Sequence, residues 1–257
     1  MEKDCKRVRN QMEFSCLGAI DGKHIVTQAP ACSGSDYFNY KKTHSIVLLA
    51  VCNARYEFTM VDIGDAGRQS DGGVYRHSEL GFAIDNNTIN RPPPSQIDSG
   101  GKLFSFVYVT DDAFQMKLFM LKPYAKIDAD ISKKIFNYRL SRARRIIENC
   151  FGIAAARFRI FRKPIIAKVE NVITVTKAVV SLHNYLMKRQ NIFGDFQYCA
   201  PNFVDSDGSD CLQSQSGDWR NEIQGDTGLA PLRSCGSNNY SRDDFKTYFN
   251  TSGEVPW

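Results

Sequence analysis

Residues Ser45 to Asn53 read Ser-Ile-Val-Leu-Leu-Ala-Val-Cys-Asn, a continuous apolar run. It is too short for a globular helix and rich in β-branched residues, so it reads as a strand buried in the interior. Asn53-Ala-Arg-Tyr then makes a turn into 57–63, where side chains alternate, and the two segments make a hairpin. A sheet with a buried central strand has to be covered by other layers, and the remaining segments supply them. Cys16 to Val26 reads as a strand around Ile20 and Ile25, and 28–43, with Pro30, Gly34 and Asn39, as a loop. Val74 to Ile84 has helical spacing, with Ser70 or Asp71 placed to cap it. Phe104-Ser-Phe-Val-Tyr-Val-Thr reads as a strand that runs into Asp111-Asp112. A long helix is predicted over 131–161, with a break at Gly152 an open alternative. Its apolar stripe runs through Phe136, Leu140, Ala143, Ile147 and Ala154. A second helix is predicted over 169–188, with Val172, Val175, Val179, Leu182 and Leu186 on its apolar side. The order strand, strand, strand, helix, strand, helix, helix predicts an α/β domain with a mixed sheet.

Residues 1–13 are polar and read as the remnant of an upstream region; the ordered domain is expected over 14–190. Residues 191–257, rich in Asp, Ser, Gly and Asn, read as a polar and largely disordered tail. No apolar run approaches the roughly 18 residues of a membrane span, and no signal-peptide core is present, so the expectation is an intracellular protein with no membrane partner. The eight cysteines contain no Cys-x-x-Cys pair, which gives a zinc site no support; Cys16, Cys52 and Cys150 read as buried free thiols. The net charge is +5, and between Ile131 and Lys163 ten Lys/Arg stand against one acid, Glu148. Such a concentration suits a face that tracks phosphates.

Three acids stand in settings that require explanation. Asp21 lies within an apolar strand, where an ionised carboxylate is costly unless paired or metal-bound. Asp111 ends a strand, the usual location of sites in α/β folds. Glu148 borders the apolar stripe of the long helix. Each has a plainer reading on its own: a strand-terminal Asp is a natural cap or turn residue, and Glu148 is placed to pair with Arg144 or Arg145. Taken together, three carboxylates on two strands and a helix, in a chain otherwise basic in that region, suit hydrolysis or strand transfer at a phosphodiester. Such chemistry is served by two divalent ions held by hard oxygen ligands. No P-loop, Gly-x-Ser-x-Gly elbow or His-Glu-x-x-His helix occurs.

Several ordered motifs then carry a resemblance. They are Leu17-Gly-Ala-Ile-Asp-Gly-Lys-His-Ile, Asn39-Tyr-Lys, and Val61-Asp-Ile-Gly-Asp-Ala-Gly-Arg-Gln-Ser-Asp-Gly-Gly-Val-Tyr-Arg-His-Ser. Thr110-Asp-Asp-Ala-Phe, Leu121-Lys-Pro-Tyr, Phe136-Asn-Tyr-Arg-Leu-Ser-Arg-Ala-Arg-Arg-Ile-Ile-Glu-Asn-Cys-Phe-Gly-Ile and Leu182-His-Asn-Tyr-Leu follow. Over about residues 14–190 the chain resembles the transposases and transposase-derived nucleases of the PIF/Harbinger group. The resemblance implies a ribonuclease-H-like mixed sheet flanked by helices, with neighbouring first and fourth strands. It implies a DDE triad falling on Asp21, Asp111 and Glu148, with Asp71 as a fourth metal ligand. It also implies Mg²⁺ or Mn²⁺ as cofactor, DNA as substrate, a separate DNA-binding protein for target recognition, and a nuclear location, with the cytoplasm as a second compartment. Gln115 departs from the group, which usually has Pro there. Arg142, Arg144 and Arg145 are expected to divide between solvent, Glu148 and DNA phosphate. His24 and His183 are expected to pack or hydrogen-bond within the fold. The competing expectation is a domesticated DNA-binding or scaffolding protein that keeps the fold without cutting.

Overall fold

The computed structural model describes residues 14–97, 101–125, 130–194, 197–207, 214–222 and 240–254. The upstream remnant expected at 1–13 lies outside them. Three long strands, β1 (Cys16–Val26), β2 (Ser45–Cys52) and β3 (Phe58–Ala66), form an antiparallel meander. Beyond β1 the sheet continues with β4 (Val107–Val109) and β5 (Met120–Leu121), both parallel to β1, giving the order β3-β2-β1-β4-β5. The strand expected from Phe104 joins this sheet only from Val107, because Leu103–Phe104 pairs instead with Ser95–Gln96 in a small separate ladder.

Every residue of β2 is buried. Ile46, Leu48, Ala50 and Cys52 pack on one face against helices α3 (Ile131–Arg157) and α4 (Val169–Phe193), through Ile147, Cys150, Phe151, Ala154, Val172 and Val180. Val47, Leu49 and Val51 pack on the other face against Val74, Tyr75, Leu80 and Ile84. Two covered faces are the reason this strand is apolar at consecutive positions.

The segment expected as one helix over 74–84 is two, α1 (Asp71–His77) and α2 (Glu79–Asp85). Ser78 divides them: its hydroxyl donates to Tyr75 O (2.8 Å) and accepts from Gly81 N (2.8 Å), so it closes one helix and caps the next. The long helix α3 is continuous through Gly152 and ends at Arg157, before a short 3₁₀ turn at Arg159–Arg162. Gly152 is there for contact rather than bending, since a Cβ at that position would lie 2.3 Å from the Trp219 indole. The buried side of α4 is Val172, Thr176, Val179, Val180, His183 and Met187, while Leu182 is exposed. The expected stripe through Leu182 is therefore rotated. His183 is drawn inward, with Nδ1 at 3.0 Å from the Tyr198 hydroxyl and Nε2 at 2.7 Å from Tyr56 O.

The expected tail is the main correction. Within 191–257, Ile192 and Phe193 stay exposed, but Tyr198, Phe203, Trp219, Phe245 and Phe249 are packed against the domain. Helix α5 (Tyr240–Phe249) buries Phe245 and Phe249 to 1% exposure against Phe14, Phe104 and Phe136. A turn of helix at Trp219–Glu222 places its indole on α3, with Nε1 donating to Asn149 Oδ1 (3.0 Å). Asn149 also accepts from Asp205 N (3.0 Å) and donates to Asp205 O (3.1 Å). Polar composition suggested disorder, but a few aromatic anchors at helical spacing are enough to dock such a segment. No helix among the described residues is long and apolar enough to cross a membrane.

Candidate active site

Parallel pairing of β1 with β4 sets the site. Ala19 is registered with Val109, and Asp21 and Asp111 each lie two residues further along, on the face of the sheet that α3 covers. Both are buried. Each has one local backbone donor: Gly22 N at 2.9 Å from Asp21 Oδ1, and Ala113 N at 2.9 Å from Asp111 Oδ1.

Asp71, the first residue of α1, arrives from the opposite layer. Ser70 caps the helix, its hydroxyl accepting from Gly73 N (3.2 Å). The carboxylate lies so close over β1 that a Cβ on Gly22 would sit 1.9 Å from Asp71 Oδ1. Glycine at 22 is thus what admits the third carboxylate beside Asp21. Asp71 Oδ1 is buried and has no hydrogen-bond partner.

Electrostatics marks the three as one cluster. Burial, then the charges of Asp111 and Asp71, holds Asp21 well above the usual carboxylate range. Burial, then Asp111, pushes Asp71 up to about 6. Burial also raises Asp111, against the opposing pull of the Ala113 N–H and the Arg144 guanidinium.

Glu148 is placed differently. It is 31% exposed and forms an ion pair with Arg144 one helical turn earlier, Nη2 to Oε1 at 2.6 Å. Its second oxygen is 3.7 Å from Arg220 Nη2, whose stronger partner is Asp205 at 2.5 Å. Burial disfavours the charge on Arg144, but Glu148, Asp21 and Asp111 together outweigh it. Arg144 is therefore the link between Glu148 and the aspartates. Of the other two arginines singled out from the sequence, Arg142 lies over the Tyr138 ring (5.9 Å) and Arg145 acts on Tyr56, on another side of the helix.

Sequence reasoning assigned no role to several cations and a tyrosine around this cluster. Lys122 is buried and donates to Phe114 O (3.1 Å) and Asp112 O (3.3 Å). Lys23 is depressed by burial, against the pull of Asp21. Tyr40 and Lys41 feel both Asp71 and Asp21. The signal available was their place beside Asp21 and in the Asn39-Tyr-Lys segment. His24 hydrogen-bonds to Ser45 Oγ through Nδ1 (2.8 Å), in the packing role expected of it.

Among the described residues, no three acidic, histidine or cysteine side chains are disposed to hold an ion as they stand. The donor set nevertheless fits a hard divalent cation. Asp21, Asp71 and Asp111 are buried, repel one another, and include an oxygen with no partner. A divalent cation is the charge that relieves both conditions. Among the described residues zinc chemistry has no comparable donor set, and the five cysteines there are free thiols, four of them buried.

The family model of the DDE superfamily endonucleases matches residues 20–184, well over half of the chain. No curated protein and no solved structure is significantly similar to the chain. The matched span runs from the residue before Asp21 through Asp71, Asp111 and Glu148 to the middle of α4, over a mixed α/β sheet of ribonuclease-H-like order. The chain belongs to the DDE superfamily endonucleases.

Proposed function

We propose that the chain is a divalent-metal-dependent DNA endonuclease of transposase type, with Asp21, Asp71 and Asp111 as the ion-holding carboxylates and Glu148 as the acid that completes the set. The observation that carries this reading is the buried aspartate trio with its unpartnered Asp71 oxygen. When bound, Mg²⁺ or Mn²⁺ supplies Lewis acidity at the attacking and leaving oxygens of an in-line displacement. The chain's own part is positional. β1 and β4 hold Asp21 and Asp111 side by side, the Gly22 gap admits Asp71, and the rigid α3 carries Glu148 and Arg144 over the same face. Glu148 would enter the ligand set by exchanging Arg144, its partner one helical turn earlier, for the ion. Assignment to the PIF/Harbinger group, a nuclear location and a separate DNA-binding partner belong to the same proposal and rest on the motifs from Leu17 to Leu186.

One observation favours a second reading. One oxygen of Glu148 is engaged by Arg144 and the other faces Arg220, as they would in a protein that keeps the fold for DNA binding or scaffolding and does not cut. The two are separated by Mn²⁺-dependent nicking of supercoiled plasmid, run beside DNA binding, for wild type, Asp21→Asn and Glu148→Gln. The nuclease reading expects nicking by wild type alone, with DNA affinity retained in both variants. Binding without nicking in wild type favours the non-catalytic protein. Nicking by Glu148→Gln at the wild-type rate removes Glu148 from the ligand set.

A further inference from the structure

The loop between β1 and β2 returns to the sheet beside the aspartates, and its tip is firmly held. Asn39 is 3% exposed. Its Oδ1 accepts from the N–H groups of Lys41 (3.0 Å) and Thr43 (3.1 Å), and its Nδ2 donates to Ser45 Oγ (2.8 Å). Lys42, at φ +62°, turns the chain in the left-handed region between them. The loop is wedged against two of the elements that bring carboxylates to the site. On the β1 side the Tyr40 ring meets His24, three residues past Asp21, edge to face at 5.5 Å. On the other side the Arg68 N–H donates to Asp36 O (3.1 Å), and Gly67 N–H to Ser45 O (2.9 Å), in the turn that leads into Asp71.

This scaffold presents Tyr40 and Lys41 beside the aspartates. Tyr40 is 52% exposed, and Lys41 Nζ lies 5.4 Å from the centroid of its ring. Two lysines, Lys23 and Lys41, are gathered here although they oppose one another: burial, then Lys23, lowers Lys41. The His24 ring beside them is neutral at pH 7, depressed to about 4 by burial and then by Lys41 and Lys23. Two lysines brought together beside a carboxylate cluster give an anion two cationic partners. A rigid, half-exposed aromatic beside them gives a stacking surface that loses little freedom on binding.

We propose that Tyr40 and Lys41 bind the DNA strand at the scissile position, Lys41 contacting a backbone phosphate and Tyr40 stacking on the adjacent base. This rests on the nuclease reading above. Stacking on an aromatic is tolerant of base identity, so the pair positions a strand without selecting its sequence.

The test is fluorescence anisotropy with fluorescein-labelled single-stranded DNA, in EDTA, across a salt series. Tyr40→Ala is expected to weaken binding roughly 5- to 150-fold, the equivalent of about 1–3 kcal/mol of stacking per base, and Tyr40→Phe to restore it. Lys41→Ala is expected to lower the slope of log K against log salt by about 0.7, the value for one phosphate on a single strand, and Lys41→Arg to restore it. Unchanged affinity and slope in both alanine variants, with wild type binding DNA, overturns the proposal and leaves the nuclease reading standing. Equal losses in Tyr40→Phe and Tyr40→Ala also overturn it, because the ring would then serve the fold through its hydroxyl. Wild type that binds no DNA overturns the nuclease reading itself, and the proposal with it.

Discussion

Replacing Asp71 with Asn should stabilise the ion-free protein, and the size and pH dependence of the gain follow from the site. Burial, and then the charge of Asp111, pushes the carboxyl up to about 6 in the fold, against 3.8 for the ordinary group. Each tenfold change in a proton equilibrium is worth about 1.4 kcal/mol, so the ionised side chain costs the folded state about 3 kcal/mol at neutral pH. The direction is that of a carboxylate whose folded pKa is raised. The penalty is absent below about 3.8, where the group is protonated in both states, grows between about 4 and 6, and is complete above 6. Asn removes the charge but also an acid in the first turn of α1, worth about 0.5 kcal/mol, which leaves a net gain of about 2.5 kcal/mol. For a chain of this size that corresponds to a rise in Tm of about 5–10 °C. The assay is thermal unfolding in EDTA from pH 7.5 down to pH 4, where the two proteins should converge. In excess Mn²⁺ the order should narrow or reverse, because wild type gains RT ln(1 + [ion]/Kd) through a ligand that the variant has weakened. Equal melting at pH 7.5, or a difference that persists unchanged at pH 4, would refute the charge argument. A difference that ignores Mn²⁺ would refute the ion-holding role.

Gly22→Ala should force Asp71 away from β1, since the added carbon lands 1.9 Å from its Oδ1; calorimetric titration should show weaker Mn²⁺ binding than in wild type. Asn149→Leu leaves Asp205 N–H and Trp219 Nε1 without their acceptor and should lower stability by about 2–4 kcal/mol in urea unfolding. Phe249→Ala should cost about 3–5 kcal/mol, whereas a disordered tail would give no change.

What the sequence made legible is what depends on periodicity over many residues. The continuous apolar run of β2, the alternation in β3 and the 3.6-residue stripe of α3 each report a whole face, and each element formed where that face had a partner. Features decided by a single contact were less legible. Ser78 divides two helices with two hydrogen bonds that no periodicity records. The buried side of α4 is turned by His183, a polar residue that finds Tyr198 and Tyr56 O, so Leu182 at an apolar position stays outside. The C-terminal segments were misjudged because average composition weighs every residue equally. Docking depends on Trp219, Phe245 and Phe249, and the partner surface for them lies on residues more than sixty positions earlier in the chain.

The site divides along the same line. Asp21 and Asp111 were readable because a strand fixes both the face and the depth of a side chain, and β1–β4 pairing then brings them together without any choice of rotamer. Asp71 was readable only through the motif resemblance, since nothing in its own segment shows that Gly22 leaves a gap for it on another element. Glu148 is the case in which position and role come apart. Its Cα is fixed by a 27-residue helix, yet its carboxylate has two competing claims: Arg144 one turn away, and the aspartates that Arg144 also faces. A partly exposed pair of this kind is worth only a few tenths of a kcal/mol up to about 1 kcal/mol. Coordination of a divalent ion by three buried aspartates is a far stronger claim on a fourth oxygen ligand than such a pair. The Arg144–Glu148 ion pair therefore fits either role, and the deciding comparison is between Glu148→Gln and wild type in Mn²⁺, where only a ligand role makes the two differ in nicking.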